Sequence, residues 1–196
     1  MVAMSVWDKS RTKIVAIVGM TGSGKGTAVE YLSRKFGWPS VHFGNMVYDE
    51  VARRGLDIVR DENNVREDMR AKEGAAVFAK RAAKKARELF ADGAKTVIFD
   101  GLYSWSEDKF LRAEFGEDII TVAIVAPKNL RYDRAVHRRE ERNGQLRKYS
   151  RANVRARDAR EIEKIEKGGP IAFADYYVLN DGDVAKLQRQ LDGIFA

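Results

Sequence analysis

Apolar residues in this chain fall into short blocks, separated by stretches with helical spacing. Residues 14–18 are a β-branched run that stops at glycines, and residues 27–36 then carry a helical pattern ended by Gly37 and Pro39. A second short strand is predicted at 41–43, followed by a helix from about 45 to 54 that Gly55 closes. Residues 56–64 are polar and weakly patterned. A long amphipathic helix is predicted over about 65–90, kinked at Gly74 and ended by Asp92-Gly93, before a buried strand at 96–99. A loop with Trp105 and a short helix reach Gly116, and residues 119–126 form a fourth strand, apolar except for Thr121. An Arg-rich helix runs from Pro127 to about residue 142, where Asn143-Gly144 breaks it; residues 145–167 look helical but lack apolar anchors. Residues 176–179 are a fifth strand, and Val184, Leu187, Leu191 and Ile194 then recur at spacings of three and four, the stripe of a terminal helix.

Strands apolar on both faces and separated by helices predict an α/β class with three layers, a parallel sheet of about five strands covered by helices on both sides. Residues 13–196 would make one domain after a frayed tail at 1–12. In such a sheet ligands bind beyond the carboxyl ends of the strands. Candidate chemistry is therefore sought at 19–27, 43–45, 100–101, Pro127 and 180–182.

Composition narrows the class. At 196 residues, 44% of them hydrophobic, with three prolines, the chain suits one globular domain and not a disordered, collagen-like or low-complexity protein. With no cysteine, a disulfide framework, a thiolate-held metal and a cysteine nucleophile are excluded, and the reducing cytoplasm is the expected location. The longest apolar runs, 14–18 and 122–126, fall far short of the roughly 20 residues that cross a bilayer, so no membrane partner is expected. Asp8, Lys9 and Arg11 interrupt the mildly apolar start before a signal-peptide core could form.

A net charge of +7 suggests nucleic acid until it is located. Residues 128–160 hold twelve basic residues against four acidic ones, an excess larger than that of the whole chain. Ten of the twelve are arginine, the side chain that grips two phosphate oxygens at once and stays protonated.

Directly after the first strand stands Gly19-Met20-Thr21-Gly22-Ser23-Gly24-Lys25-Gly26-Thr27, opening the first helix. Glycines let successive backbone N–H groups turn around an anion, the helix N-terminus adds partial positive charge, and the lysine reaches terminal phosphates. The G-x4-G-K core is complete; Gly26 stands where Ser or Thr commonly holds magnesium, with Thr27 one residue later. ATP with Mg2+ is the ligand this pattern predicts, bound by Gly19, Thr21, Gly22, Ser23, Gly24, Lys25, Gly26 and Thr27.

The ending Gly-Lys-Gly-Thr resembles the nucleoside monophosphate kinase group of P-loop kinases. Ile98-Phe99-Asp100-Gly101 looks like that group's strand-end Asp-Gly, and Arg134-x3-Arg138 resembles its pair of lid-base arginines. Residues 174–182, Ala-Asp-Tyr-Tyr-Val-Leu-Asn-Asp-Gly, look like the closing strand and turn of dephospho-CoA kinases. Arg157-Asp158-x2-Glu161 and Gly168-Gly169-Pro170-Ile171-Ala172 are similar to a small archaeal-type group of nucleotide-kinase-like proteins, a likeness covering most of the chain from residue 13. The resemblance implies a P-loop kinase fold with an Arg-rich lid at 138–168 and an acceptor-binding region at 45–75. It implies Lys25, Asp100, Arg138 and Arg157 in catalysis, Arg134 and Asn180 at ATP, and Asn45, Arg53, Asp100 and Gly101 at the acceptor. Thr27 and Asp100 would meet the metal through waters. The Asp-x-Asp and His-Pro of dephospho-CoA kinases are missing, and Phe43-Gly44-Asn45-Met46 replaces the Thr-Gly-Asp of adenylate kinases.

Several of these residues have a plainer reading. Asp100 also suits a turn or cap, Arg53 and Arg54 suit exposed positions before a helix stop, and the lid arginines suit a solvated helix laced with pairs such as Arg138–Glu141 or Arg155–Asp158. His42 and His137 lack metal-ligand spacing and are expected to be structural. Tyr103, Trp105 and Phe110 could stack on an acceptor base or pack in the core. The function expected is a kinase transferring the γ-phosphoryl group of ATP to a nucleotide-like small molecule, with a dephospho-CoA kinase-like enzyme as the alternative. An ATP-binding RNA- or ribosome-associated factor is the alternative of another class. With Tyr132 and Tyr149 the only aromatics in the basic stretch, a nucleic-acid partner is not expected.

Overall fold

In the computed structural model, the alternation of the first strand, β1 (Lys13–Val18), sends Ile14, Ala16 and Val18 into one apolar cluster and Val15 and Ile17 into another. That is the mark of a strand buried on both faces, and β1 is the centre of the sheet. The structure describes Trp7 and residues 13–102, 104–138, 140–142, 145–147 and 149–196. After β1 come α1 (Lys25–Phe36), β2 (Ser40–His42), α2 (Phe43–Arg53), α3 (Ile58–Glu73), α4 (Val77–Ala91) and β3 (Thr96–Asp100). Then follow α5 (Trp105–Phe115), a 3-10 turn (Gly116–Asp118), β4 (Ile119–Val125), α6 (Lys128–His137), β5 (Glu140–Arg142) and β6 (Gln145–Arg147). The chain ends with α7 (Arg151–Glu163), α8 (Gly168–Ala172), β7 (Tyr176–Leu179) and α9 (Val184–Phe195).

Five strands pair in the order β2-β3-β1-β4-β7, all parallel, as the apolar blocks predicted. One face packs α2, α3 and α4 through Phe43, Met69 and Phe78 against Phe99 and Ala16; the other packs α1 and α9 through Leu32, Leu187, Leu191 and Phe195 against Ile17, Ile98 and Val122. Val184, expected in the terminal stripe, is exposed, and Phe195 fills the core in its place. Of the expected tail at 1–12, Trp7 is described: its ring meets Trp38 at 5.3 Å and the edge of Phe195 at 5.2 Å.

Three helix expectations change. The single helix over 65–90 is two, α3 and α4, divided at Gly74, whose φ of +94° only glycine adopts readily. Residues 56–64 are largely helical: Ile58, Glu62, Val65, Arg66 and Met69 are the buried face of α3, and two of those five are charged. Glu62 and Arg66 neutralise each other at 2.5 Å, so a polar-looking stretch can bury a face. The Arg-rich helix stops at His137, and the residues that follow pair as the antiparallel strands β5 and β6, with Arg142 opposite Gln145. Asn143-Gly144, expected as a helix break, lies outside the described residues.

Candidate functional site

The loop between β1 and α1 is shaped by what packs beneath it. Gly22 and Gly24 hold φ of +78° and +100°; a Cβ on Gly22 would run into the backbone carbonyl of Arg131, and one on Gly24 into the side-chain amide of Asn180. Both positions therefore need glycine for space as well as for conformation. The same neighbours hold the loop by hydrogen bonds. Arg131 Nη1 donates to the Thr21 carbonyl at 2.8 Å, and Asn180 Nδ2 donates to the Ser23 carbonyl at 2.8 Å. Segments more than a hundred residues downstream thus hold the loop.

A cavity of about 680 Å³ opens over this loop. Thr21, Gly22, Gly24, Lys25, Gly26 and Thr27 line it from the loop; Arg134, Arg138, Tyr149 and Arg157 from the α6–α7 segment; His42, Asn45, Tyr48 and Asp100 from β2, α2 and the end of β3. The structure therefore gathers the expected Lys25, Asp100, Arg138, Arg157, Arg134, Thr27 and Asn45 around one space. Gly19, Ser23, Gly101 and Asn180 do not line it. Ser23 is buried with its hydroxyl unbonded, and Gly101 donates its N–H to the Ile17 carbonyl at 3.4 Å, so these residues build the floor.

Lys25 Nζ donates to the Met20 carbonyl at 3.1 Å. Burial first, and then the nearby charge of Lys167, pull its pKa down to about 7. An ammonium so disfavoured gains most from an arriving anion.

The basic segment divides into braces and wall residues. Arg131 is buried against Asp158, Nη2 to Oδ2 at 2.7 Å, which ties α6 to α7 and to the loop at once; the sequence suggested Arg155 as the partner of Asp158. Arg134 reaches the turn after β7, donating to the Asn180 carbonyl at 2.9 Å and the Gly182 carbonyl at 3.3 Å. Arg157 donates from Nε to Glu161 Oε1 at 2.9 Å and from Nη1 to the Tyr149 hydroxyl at 3.1 Å. Glu161 also receives Lys167 Nζ at 2.7 Å. Its burial alone would raise its pKa, yet the cations of Lys167 and Arg157 hold it at about 2. Lys167 and Arg131 carried no signal in the sequence beyond the flanking Arg157-Asp158-x2-Glu161 pattern.

At the start of α2, His42 accepts the Asn45 N–H on Nδ1 at 3.1 Å, capping that helix. That bond places the ring proton on Nε2, which lies 3.7 Å from Asp100 Oδ2. His42 therefore caps a helix as expected of a structural histidine, and it also lines the cavity beside Asp100. Arg53 is not brought to this space: it is largely exposed and donates from Nε and Nη2 to Glu50, both at 2.7 Å. Arg54 is held by Glu50 and Asp68. Trp105 packs edge-on against Phe173 at 5.4 Å and Phe110 borders the core, neither lining the cavity; Tyr103 lies outside the described residues.

Residues 18–166 match the family model of an AAA domain. A UPF0200 protein of Thermococcus onnurineus is 35% identical over 181 residues, covering 91% of this chain and 94% of the relative. Among solved structures, shikimate kinase from Bacteroides thetaiotaomicron superposes with a TM-score of 0.58 at 14% identity over 93% of this chain and 97% of that one. A gluconokinase from Sinorhizobium meliloti 1021 gives 0.56 at 16% identity over 93% and 91%. Those identities speak for the fold, which is that of a P-loop kinase. Among the described residues no helix is long and apolar enough to cross a membrane. By sequence, the chain belongs to the UPF0200 family and carries its match to the AAA domain across three quarters of its length.

Proposed function

We propose that this protein is an ATP-dependent phosphotransferase that moves the γ-phosphoryl group to a nucleotide-like small molecule. The observation that carries the reading is that Lys25, Thr27, Asp100, Arg134, Arg138 and Arg157 line one cavity. Phosphoryl transfer asks for in-line placement of two oxygens and compensation of charge on the moving group, and little covalent chemistry from the protein.

In this reading the backbone N–H groups of residues 21–27 and Lys25 cradle the polyphosphate, while Arg134, braced on the turn after β7, borders the base. An oxygen of the acceptor attacks the γ-phosphorus as the bond to the bridging oxygen breaks, and ADP leaves. If that oxygen comes from a hydroxyl, its proton passes to Asp100. Arg138 and Arg157 follow the charge as it spreads over the phosphoryl oxygens, and residues 138–168 act as a lid that keeps water from competing. Residues 45–75 form the acceptor-binding region.

Among the oxygen donors that line the cavity are the hydroxyls of Thr21 and Thr27 and the carboxylates of Glu30 and Asp100, and in this reading Thr27 and Asp100 meet a magnesium ion. Among the described residues no group of three His, Asp or Glu could hold a metal alone. This set fits magnesium, which keeps several waters and takes most other ligands from phosphate. When bound it would neutralise charge on the phosphates.

A coupled assay of ATP turnover, run against nucleoside monophosphates, nucleosides and dephospho-CoA, tests the reading. One acceptor should raise turnover well above the background with ATP alone. No acceleration by any of them would remove the nucleotide-like acceptor class.

A further inference from the structure

The cavity holds a second lysine that the phosphate loop does not account for. Lys167 stands between α7 and α8 and is only 2% exposed, yet it lines the same space as Lys25 and Arg157. A lysine is rarely buried this deeply without a charged partner, and Lys167 has one in Glu161. That partner is shared, however. Glu161 binds Lys167 through Oε2 and Arg157 through Oε1, so one carboxylate stands between two cations that both border the cavity. A buried pair that served only to fasten α7 to α8 would need a single cation. Two cations on one carboxylate leave this wall positive.

The backbone is bent to hold this arrangement. Glu166, the residue before Lys167, has φ of +54°, the one positive value among the described non-glycine residues. This left-handed turn lets the Lys167 N–H bond the Glu161 carbonyl at 3.0 Å and brings the ammonium back over the same residue's carboxylate. Non-glycine residues take that conformation at a penalty, and it persists where the surroundings require the side chain beyond it. The lowered pKa of Lys25, with Lys167 the first cause after burial, places the two ammonium groups close enough to repel.

We propose that Lys167 is a second phosphate-binding lysine, which contacts the terminal phosphoryl oxygens of the bound triphosphate together with Lys25, while Glu161 positions it and supports its charge. An ammonium carries three donors, so engagement with Glu161 is compatible with a phosphate oxygen. The terminal phosphoryl group is the one nearest the acceptor, so Lys167 distinguishes ATP from ADP. This assignment rests on the ATP-binding reading above.

Calorimetric titration of ATP and of ADP, each with magnesium, into the intact protein and the Lys167→Met variant tests it. Methionine keeps the length and the packing of the buried stem. ATP should bind the variant about ten- to a hundredfold more weakly, and ADP within about twofold of the parent protein. An unchanged preference for ATP over ADP in a folded variant overturns the role of Lys167 and leaves ATP binding standing. A parent protein that binds neither nucleotide overturns the reading beneath it. Should Lys167→Met fail to fold, 15N-lysine spectra of the parent protein carry the test. The Lys167 ammonium resonance should shift with magnesium-ATP and stay in place with magnesium-ADP; an equal response to both, or to neither, overturns the assignment.

Discussion

The two arms that flank the cavity use the same residue type in opposite ways. On the α6–α7 side, Arg131 reaches the loop, Arg134 reaches the turn after β7, and Arg134, Arg138 and Arg157 line the cavity. On the α2–α3 side, Arg53 and Arg54 are bound to Glu50, Arg66 to Glu62 and Arg70 to Glu107, and none of them lines it. Charge counting cannot separate these sets. What separates them is how the carboxylates are shared: Arg53, Arg54 and Arg66 each have an acid within one helical turn on α2 or α3, whereas Arg134 is held by backbone carbonyls and Arg157 shares its one acid, Glu161, with Lys167. Cations therefore outnumber acids on the α6–α7 side, and the β2–α2 side presents His42, Asn45 and Tyr48 to the cavity.

The sharpest way to break that contrast is at the loop. Lys25→Ala should lower ATP turnover by about three orders of magnitude, as removal of a charge aimed at the transferring group does. The variant should stay folded, because the native state already resists protonation of Lys25. Retained turnover would overturn the loop's assignment. Asp158→Ala comes next. It leaves the buried Arg131 guanidinium without its carboxylate, a loss of about 3 kcal/mol expected in urea unfolding. A change below 1 kcal/mol, on the same scale, would mean that Arg131 needs no brace. Arg157→Ala should then reduce turnover about a hundredfold with a smaller change in stability, and equal loss of both would make Arg157 a structural partner of Glu161 alone.

How far these features were legible follows from how local each signal is. Five apolar blocks gave the sheet and its direction, because a parallel strand buried on both faces needs no partner to be recognised. The phosphate loop was legible as well, since its glycines, its lysine and its position after a strand lie within nine residues. Lys167 was not. Its partner Glu161 lies six residues back, a spacing no helix brings together, and the turn that does so passes through Glu166 rather than a glycine that would announce it. Arg131 and Asp158 are 27 residues apart and meet only once α6 and α7 pack. The start of α3 was hidden because Glu62 and Arg66 occupy its buried face. The strands β5 and β6 were hidden because Leu146 is their only aliphatic residue. Local chemistry showed through the sequence; paired charges concealed both burial and position.

Proton linkage tests the loop more finely. With Lys25 at about 7 against 10.5 when unperturbed, the native state binds fewer protons than the unfolded chain between those values, so this group's contribution to stability rises with pH across that window. Bound phosphates draw the pKa back up. At pH 8, ATP binding should therefore take up about one proton, measured from calorimetric heats in two buffers of different ionisation enthalpy, and Lys25→Ala should abolish most of that uptake. Proton release on binding would contradict the lowered state of Lys25.

The smallest effect is expected on the α2–α3 side. Arg53 is a surface residue whose two bonds both go to Glu50, and Glu50 keeps Arg54 when Arg53 is removed. Its pairing holds Glu50 at about 2 through hydrogen bonds from Arg53 and then Arg54, but exposed pairs of this kind contribute little to folding. Arg53→Ala should therefore leave the melting curve in place and change the KM for whichever acceptor the turnover screen identifies by less than about threefold. A rise in KM of tenfold or more, with kcat held, would show that Arg53 leaves Glu50 to meet the acceptor. The α2–α3 side would then supply a cation of its own, and the difference between the two arms would not survive acceptor binding.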